Sequence, residues 1–204
     1  MRAGGLERRL CLGLLTAACV APGGVLAHQS DAAGERLPTL GPAPDFSLER
    51  AGGGRLTARD LRGKVAVVTF IYTSCGDVCP LLTQKLVGVQ DALGEAFGRE
   101  VEFVSITLDP EVDTAEVLAS YARQLGSDPA GWVYLTGSSD EIAEVAHAYG
   151  VVFQKKPDGE VIHNLLTSIC DRNGILRVQY MGMAFDPDGF EHDVRDLMAE
   201  AGVP

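Results

Sequence analysis

Apolar positions along the chain follow two periods, and their alternation sets out the elements. Val65 to Tyr72, "VAVVTFIY", is an unbroken apolar run rich in β-branched residues, as expected of a central strand covered on both faces. Leu82, Leu86, Val89, Leu93 and Phe97 then recur at helical spacing, which predicts an amphipathic helix that Gly98 terminates. Val101 to Leu108 is the next strand. Asp113 with Glu116 marks a helix start, Leu118, Tyr121 and Leu125 form its inner stripe, and Gly126 ends it. Trp132 to Leu135 is a short strand, followed by a helix whose capping box is Ser138 with Glu141 and whose inner side carries Ile142, Val145 and Tyr149.

The remaining pattern is mostly turns between strands. "DFSLER" and "GRLTARDL" flank Ala51 to Gly54 near the start, and Val151 to Gln154 and the run from Val161 flank "KKPDGE". "LLTSIC" and "ILRVQY" flank Asp171 to Gly174, and Phe190, Val194, Leu197 and Met198 make a closing helix. Alternating strands and helices followed by hairpins predict an α/β sandwich around a mixed sheet. No internal repeat or low-complexity tract interrupts it.

The first 27 residues belong to a different class. Arg2, Arg8 and Arg9 precede a short apolar stretch, Leu10 to Ala21, and Val25-Leu26-Ala27 offers a small-residue cleavage site before His28. This predicts a signal peptide over 1–27, cut after Ala27. The rival readings are an uncleaved anchor, a twin-arginine signal at Arg8-Arg9, and lipidation of Cys19, against which Thr16 counts. The polar, aperiodic stretch 28–41 reads as a linker and 42–204 as one domain. Export to the periplasm, or to the outer face of the inner membrane, follows from the signal. Removing 27 of 204 residues leaves 177, and because 1–27 carries three arginines and one glutamate the formal charge shifts from −11 to −13. Such a surface repels phosphate backbones, so no nucleic-acid partner is expected.

Charge identifies no partner, but the cysteines narrow the chemistry. Cys11 and Cys19 fall in the signal, leaving Cys75, Cys79 and Cys170, an odd number and too few for a disulfide framework. Pro80 suits the first position of a helix, which would make Cys79 its cap and put Cys75 in the turn leaving the strand. Both sulfurs then lie at the carboxyl end of a central strand, where open α/β sheets hold ligands and where helix amides lower thiol pKa values. A loop brace, a redox couple and soft-metal ligation all remain open. A zinc site would want four ligands, usually from two such pairs, whereas two or three soft ligands suffice for monovalent copper.

A third ligand would have to come from elsewhere. His28 sits at the new terminus, and His147 and His192 lie off the inner stripes of their helices. His163 precedes "NLLTSIC" directly after a hairpin arm, where a side chain projects from the sheet end; alone, such a histidine is as a rule structural. Asp109 ends the second strand and is either a turn residue before Pro110 or a group approaching the cysteine loop. Asp77 is a helix cap or a partner contact. Met181, Met183 and Cys170 are expected to be core residues.

"DFSLERAGGGRLTARDLRGKVAVVTFIYTSC" resembles the opening of thioredoxin-like and peroxiredoxin-like domains. "FIYTSCGDVCP", "SITLDPEVDT" and "IHNLLTSICDRNGIL" together resemble the Sco (SenC) family of copper chaperones for cytochrome c oxidase, over about Pro44 to Gly182. The combination of Cys-x-x-x-Cys-Pro with a histidine 84 residues after Cys79 makes the resemblance specific. It implies a thioredoxin-like, peroxiredoxin-like three-layer sandwich with a central mixed sheet and an N-terminal β-hairpin. It also implies one copper ion held by Cys75, Cys79 and His163; the thiolates suit Cu(I) and the imidazole suits Cu(II) as well, and Asp109, on the reading that it approaches the cysteine loop, stands behind the three. Two departures stand out: Gly76 replaces a frequent proline, and Ile162-His163-Asn164 replaces the commoner Asp-His-Ser.

The same resemblance implies a monomer whose partners are a copper-receiving oxidase subunit and a thioredoxin-like reductant or another copper chaperone. Copper would be delivered to the dinuclear site of that subunit, or the subunit's cysteines would be reduced, with Cys75 and Cys79 as the redox pair. The rivals are a thiol-disulfide oxidoreductase or thiol peroxidase of the same superfamily, and a copper sensor. "SCGDVC" superficially resembles glutathione peroxidases, but "VYL" after Trp132 lacks their Asn-Phe.

Overall fold

The structure, a computed structural model, describes residues 37–200. The predicted signal, His28 and the linker as far as residue 36 lie outside the described residues. Eight strands form one mixed sheet. In chain order they are β1 Gly41–Pro42, β2 Ser47–Arg50, β3 Arg55–Thr57, β4 Val65–Ile71, β5 Val101–Thr107, β6 Trp132–Thr136, β9 Leu166–Cys170 and β10 Ile175–Met181. Two further strands, β7 Phe153–Lys155 and β8 Val161–His163, pair only with each other. The helices are α1 Val78–Leu93, α2 Ala115–Leu125, α3 Ser139–Ala148 and α4 Pro187–Ala199. None of the described helices is long and apolar enough to cross a membrane.

The strand order is β1-β10-β9-β4-β5-β6-β2-β3. β4 runs parallel to β5 and antiparallel to β9, and all seven of its residues are buried, which explains a run with no polar alternation. Side chains alternate across it. Ala66 and Val68 line a small cavity with Leu61 and Tyr149, and Phe70 meets the Tyr149 ring at 5.8 Å, so α3 covers that face. Helices α1, α2 and α4 pack together over the other, where Tyr121 of α2 meets Tyr134 of β6 edge-on at 6.1 Å. Helix layers on both faces of a mixed sheet, with β2 and β3 as the N-terminal hairpin, form the expected thioredoxin-like sandwich.

Several boundaries differ from the sequence reading for local reasons. Helix α1 starts at Val78 with Asp77 at its N-cap, so Cys79 lies inside the first turn; Pro80 is tolerated there because no first-turn N–H has a helical acceptor. The same helix stops at Gly94, which takes φ +56°, instead of running to Gly98. Phe97 leaves the helical stripe and meets Phe103 edge-on at 5.0 Å. Helix α2 is capped by Thr114, whose hydroxyl accepts the Val117 N–H, because the Asp113 carboxylate is turned inward.

Where the start and end of the described chain meet, Arg177 of β10 is buried with every guanidinium donor used. It bonds the carbonyls of Leu37 and Pro38, the Asp171 carboxylate at 3.1 Å and both oxygens of Glu200 at 2.7 and 3.0 Å. Leu37, within the stretch read as linker, is itself buried, and Gly41 pairs with Leu176.

Candidate functional site

The cysteine pair sits where β4 ends and α1 begins. Tyr72 is buried, its carbonyl accepts the Cys75 N–H at 3.3 Å, and the chain turns through Gly76 into α1. Cys79 is fully buried, Cys75 nearly so, and both thiols are free. They nevertheless differ in acidity. Burial resists ionisation of Cys75, yet hydrogen bonds from the Cys79 and Asp77 amides, and from the Cys79 and Tyr72 side chains, outweigh it and hold its pKa below the ordinary thiol value. Burial pushes Cys79 up to about 12, and the Cys75 sulfur beside it adds to the rise. The pair therefore offers one thiolate-forming sulfur near the surface and one proton-retaining sulfur behind it.

A cleft of about 900 Å³ opens on Cys75. The cysteine loop forms one side, Asp109 and Val112 a second, and Lys155 with the Pro157–Glu160 turn a third. Asp109 is buried and accepts from Lys155 Nζ at 2.6 Å, and Glu111 accepts from the same ammonium at 3.0 Å. Its N–H donates to the Thr107 hydroxyl at 2.9 Å. Asp109 thus shares the cleft with Cys75, as one sequence alternative had it, but its carboxylate is engaged by the hairpin lysine.

His163 lies at the end of β8. Because β9 runs antiparallel to β4, its first residue stands beside the carboxyl end of β4, and the hairpin preceding it overhangs the same sheet edge as the cysteines. The ring meets Tyr72 edge-on at 6.0 Å between centroids, and Tyr72 in turn hydrogen-bonds Cys75. Burial lowers the imidazole pKa, favouring the neutral ring. Nδ1 lies 3.2 Å from the Asn164 carbonyl, so it carries the proton, and the buried Nε2 has its lone pair free with no protein partner. Asn164 holds the hairpin base: its Oδ1 accepts the Val152 N–H at 2.7 Å and its Nδ2 donates to the Gly150 carbonyl at 3.1 Å. The departure from serine at this position has a structural role.

The structure thus brings Cys75 and Cys79 into contact, sets Asp109 on the same cleft, and puts His163 one aromatic ring away. Among the described residues no three His, Cys, Asp or Glu side chains stand grouped so as to hold a metal ion. His147 and His192 are exposed, and Cys170 is buried beside Tyr149 with its pKa pushed up to about 12, mainly by that burial. Met183 packs on the core, but Met181 is 73% exposed, contrary to expectation, because β10 ends there.

Sequence reasoning missed Asp113. This fully buried carboxylate accepts the Thr73 N–H at 3.0 Å, the Thr73 hydroxyl and the Thr107 hydroxyl, so it fastens the root of the cysteine loop to β5. Its one local signal, an acidic residue just before the helix, reads as a helix start. Lys155, hidden in a turn sequence, gave none.

A family profile described as SCO1/SenC matches residues 38–199. The chain belongs to the SCO1/SenC family. It is 38% identical over 110 residues to Protein SCO1 homolog 1, mitochondrial, of Arabidopsis thaliana, a match covering 54% of this chain but only about a third, 32%, of that relative's length. The solved structure of Arabidopsis thaliana ScoI with copper bound is similar at a TM-score of 0.67 and 32% identity, covering 75% of this chain and 98% of that one. BsSco, described as a member of the Sco family of cytochrome c oxidase assembly proteins and as containing a disulfide switch, aligns at a TM-score of 0.70 and 27% identity, covering 81% of this chain and 99% of that one.

Proposed function

We propose that this SCO1/SenC chain binds copper and acts in cytochrome c oxidase assembly as a metallochaperone, taking the ion through Cys75, Cys79 and His163. Family membership and the likeness to a copper-bound Sco structure support the coarse reading. The observation that carries the ligand set is the imidazole: a neutral ring with a buried, unpartnered Nε2 directed by Nδ1–H, one aromatic neighbour from a thiol pair. Two sulfurs and one imidazole form a soft set suited to Cu(I), and the imidazole extends it to Cu(II). Gathering the three requires the separate hairpin to move toward the cysteine loop past Tyr72. The export segment, the periplasmic side and an oxidase subunit as recipient belong to this reading.

The unequal thiols support a second use of the same pair. A thiolate-forming Cys75 attacks a client disulfide and expels one client thiolate; Cys79, passing its proton to that thiolate, then attacks the mixed disulfide, closes the Cys75–Cys79 bond and expels the second client sulfur, so that two electrons pass to the client. Copper titration of the reduced protein tests the ligand assignment. One equivalent should bind, and His163→Ala should weaken binding at least about tenfold and alter the Cu(II) charge-transfer spectrum. Absent uptake, or a His163→Ala protein with unchanged affinity and spectrum, would refute it.

A further inference from the structure

The dithiol and His163 ride on two separate carriers, and both carriers are fastened to one short turn. The cysteine loop leaves β4 through Thr73, whose N–H and hydroxyl are both bonded by Asp113. The hairpin belongs to its own two-stranded sheet, and its outgoing arm ends at Lys155, whose ammonium is held by Asp109 and Glu111. Asp109 and Asp113 are joined through Thr107: the Thr107 hydroxyl donates to Asp113 at 2.5 Å and accepts the Asp109 N–H at 2.9 Å. The Asp109 carbonyl also accepts the Asp113 N–H at 2.8 Å, which closes the turn on itself. Both carboxylates are buried, and both lie at the end of β5, a central strand whose position the sheet fixes.

We propose that residues 107–113 are a shared anchor that sets the spacing between the dithiol and the imidazole, with Asp113 the positioning residue for the cysteines and Lys155 the positioning residue for the hairpin. This rests on the proposed ligand set. The geometry makes the two arms separable. Loss of the Asp113 acceptors frees the Thr73 amide and lets the two sulfurs drift, so the intramolecular disulfide forms less favourably because the effective concentration of one thiol at the other falls. Loss of the Lys155 ammonium leaves the cysteine loop tied but frees the arm opposite Val161, two residues before His163.

Two metal-free measurements on the full chain test it, so that failure of copper binding and failure of the anchor are told apart. The first is the equilibrium constant for closing the Cys75–Cys79 disulfide in a dithiothreitol buffer. Asp113→Ala should lower it about tenfold, equivalent to about 30 mV for two electrons. Asp113→Asn, which keeps an acceptor for the Thr73 N–H, should lower it less than about threefold. Thr73→Val, a milder change that removes only the hydroxyl arm, should fall between them if Asp113→Ala does not fold. The second is hydrogen exchange of the Val161 to Asn164 amides, which Lys155→Ala should speed about tenfold while shifting the disulfide constant less than twofold. Folded Asp113→Ala and Thr73→Val proteins with the native constant, or Lys155→Ala with native hairpin exchange, would overturn the anchor whatever copper does.

Discussion

Two ends of the sheet treat their buried polar groups in opposite ways. At the Arg177 end, five donors meet two carboxylates and two carbonyls, and the start and end of the described chain are tied to β10. At the cysteine end, Cys79 is fully buried, the imidazole Nε2 has no partner, and the hairpin belongs to no larger sheet. A polar group left buried without a partner is destabilising by about 1–3 kcal/mol, so the cysteine end gives up local stability in return for donor atoms that remain free. The contrast shows where this fold is built for rigidity and where it is built for chemistry.

Arg177→Met should do the most damage. Removing the guanidinium strips Asp171 and Glu200 of a shared cation in a buried setting, and a loss of about 3–5 kcal/mol in urea unfolding is expected; a loss under about 1 kcal/mol would make the clamp incidental. Next come the thiols. With one thiol held below its ordinary pKa and the other pushed well above it, the thiolate of the pair should reside on Cys75. Iodoacetamide should therefore label Cys75 first, its rate rising with pH and levelling below the ordinary thiol pKa, while Cys79, buried and resisting ionisation, reacts far more slowly. Equal labelling of the two would remove the asymmetry.

Smaller effects sharpen the picture. His163→Leu replaces a half-buried ring, whose buried Nε2 has no partner, by an apolar side chain, and the metal-free protein should gain about 1 kcal/mol in thermal unfolding. Destabilisation would mean that the ring packs better than its orphan nitrogen suggests. Gly76→Ala should have the smallest effect. A Cβ at Gly76 meets nothing within 4 Å and its φ is not left-handed, so the substitution should stabilise by about 0.4–1 kcal/mol through the unfolded chain. A loss would show that the cysteine loop needs conformations only glycine allows.

Much of this protein was legible before its structure. "VAVVTFIY" read as a doubly covered strand and is one, Ser138 with Glu141 caps a helix, and "KKPDGE" turns a hairpin. The site was legible as residue types: a thiol pair at a strand end and a histidine beyond a hairpin. Errors fell where one side chain had two local options. Asp113 could cap or turn inward, and the choice depended on Thr73, 40 residues earlier. Met181 followed the apolar pattern of its strand but stands exposed where that strand ends.

Hydrophobic period and turn residues act over a few positions and soft ligands are a matter of residue type, so the linear pattern already carries the order of elements, the layered architecture and the candidate donor chemistry. Which thiol ionises more readily, which imidazole nitrogen stays free, and the pairing of Asp109 with a lysine 46 residues away depend on the folded chain. Burial, amide direction and ion pairing arise from chain segments distant in sequence, so no local pattern encodes them.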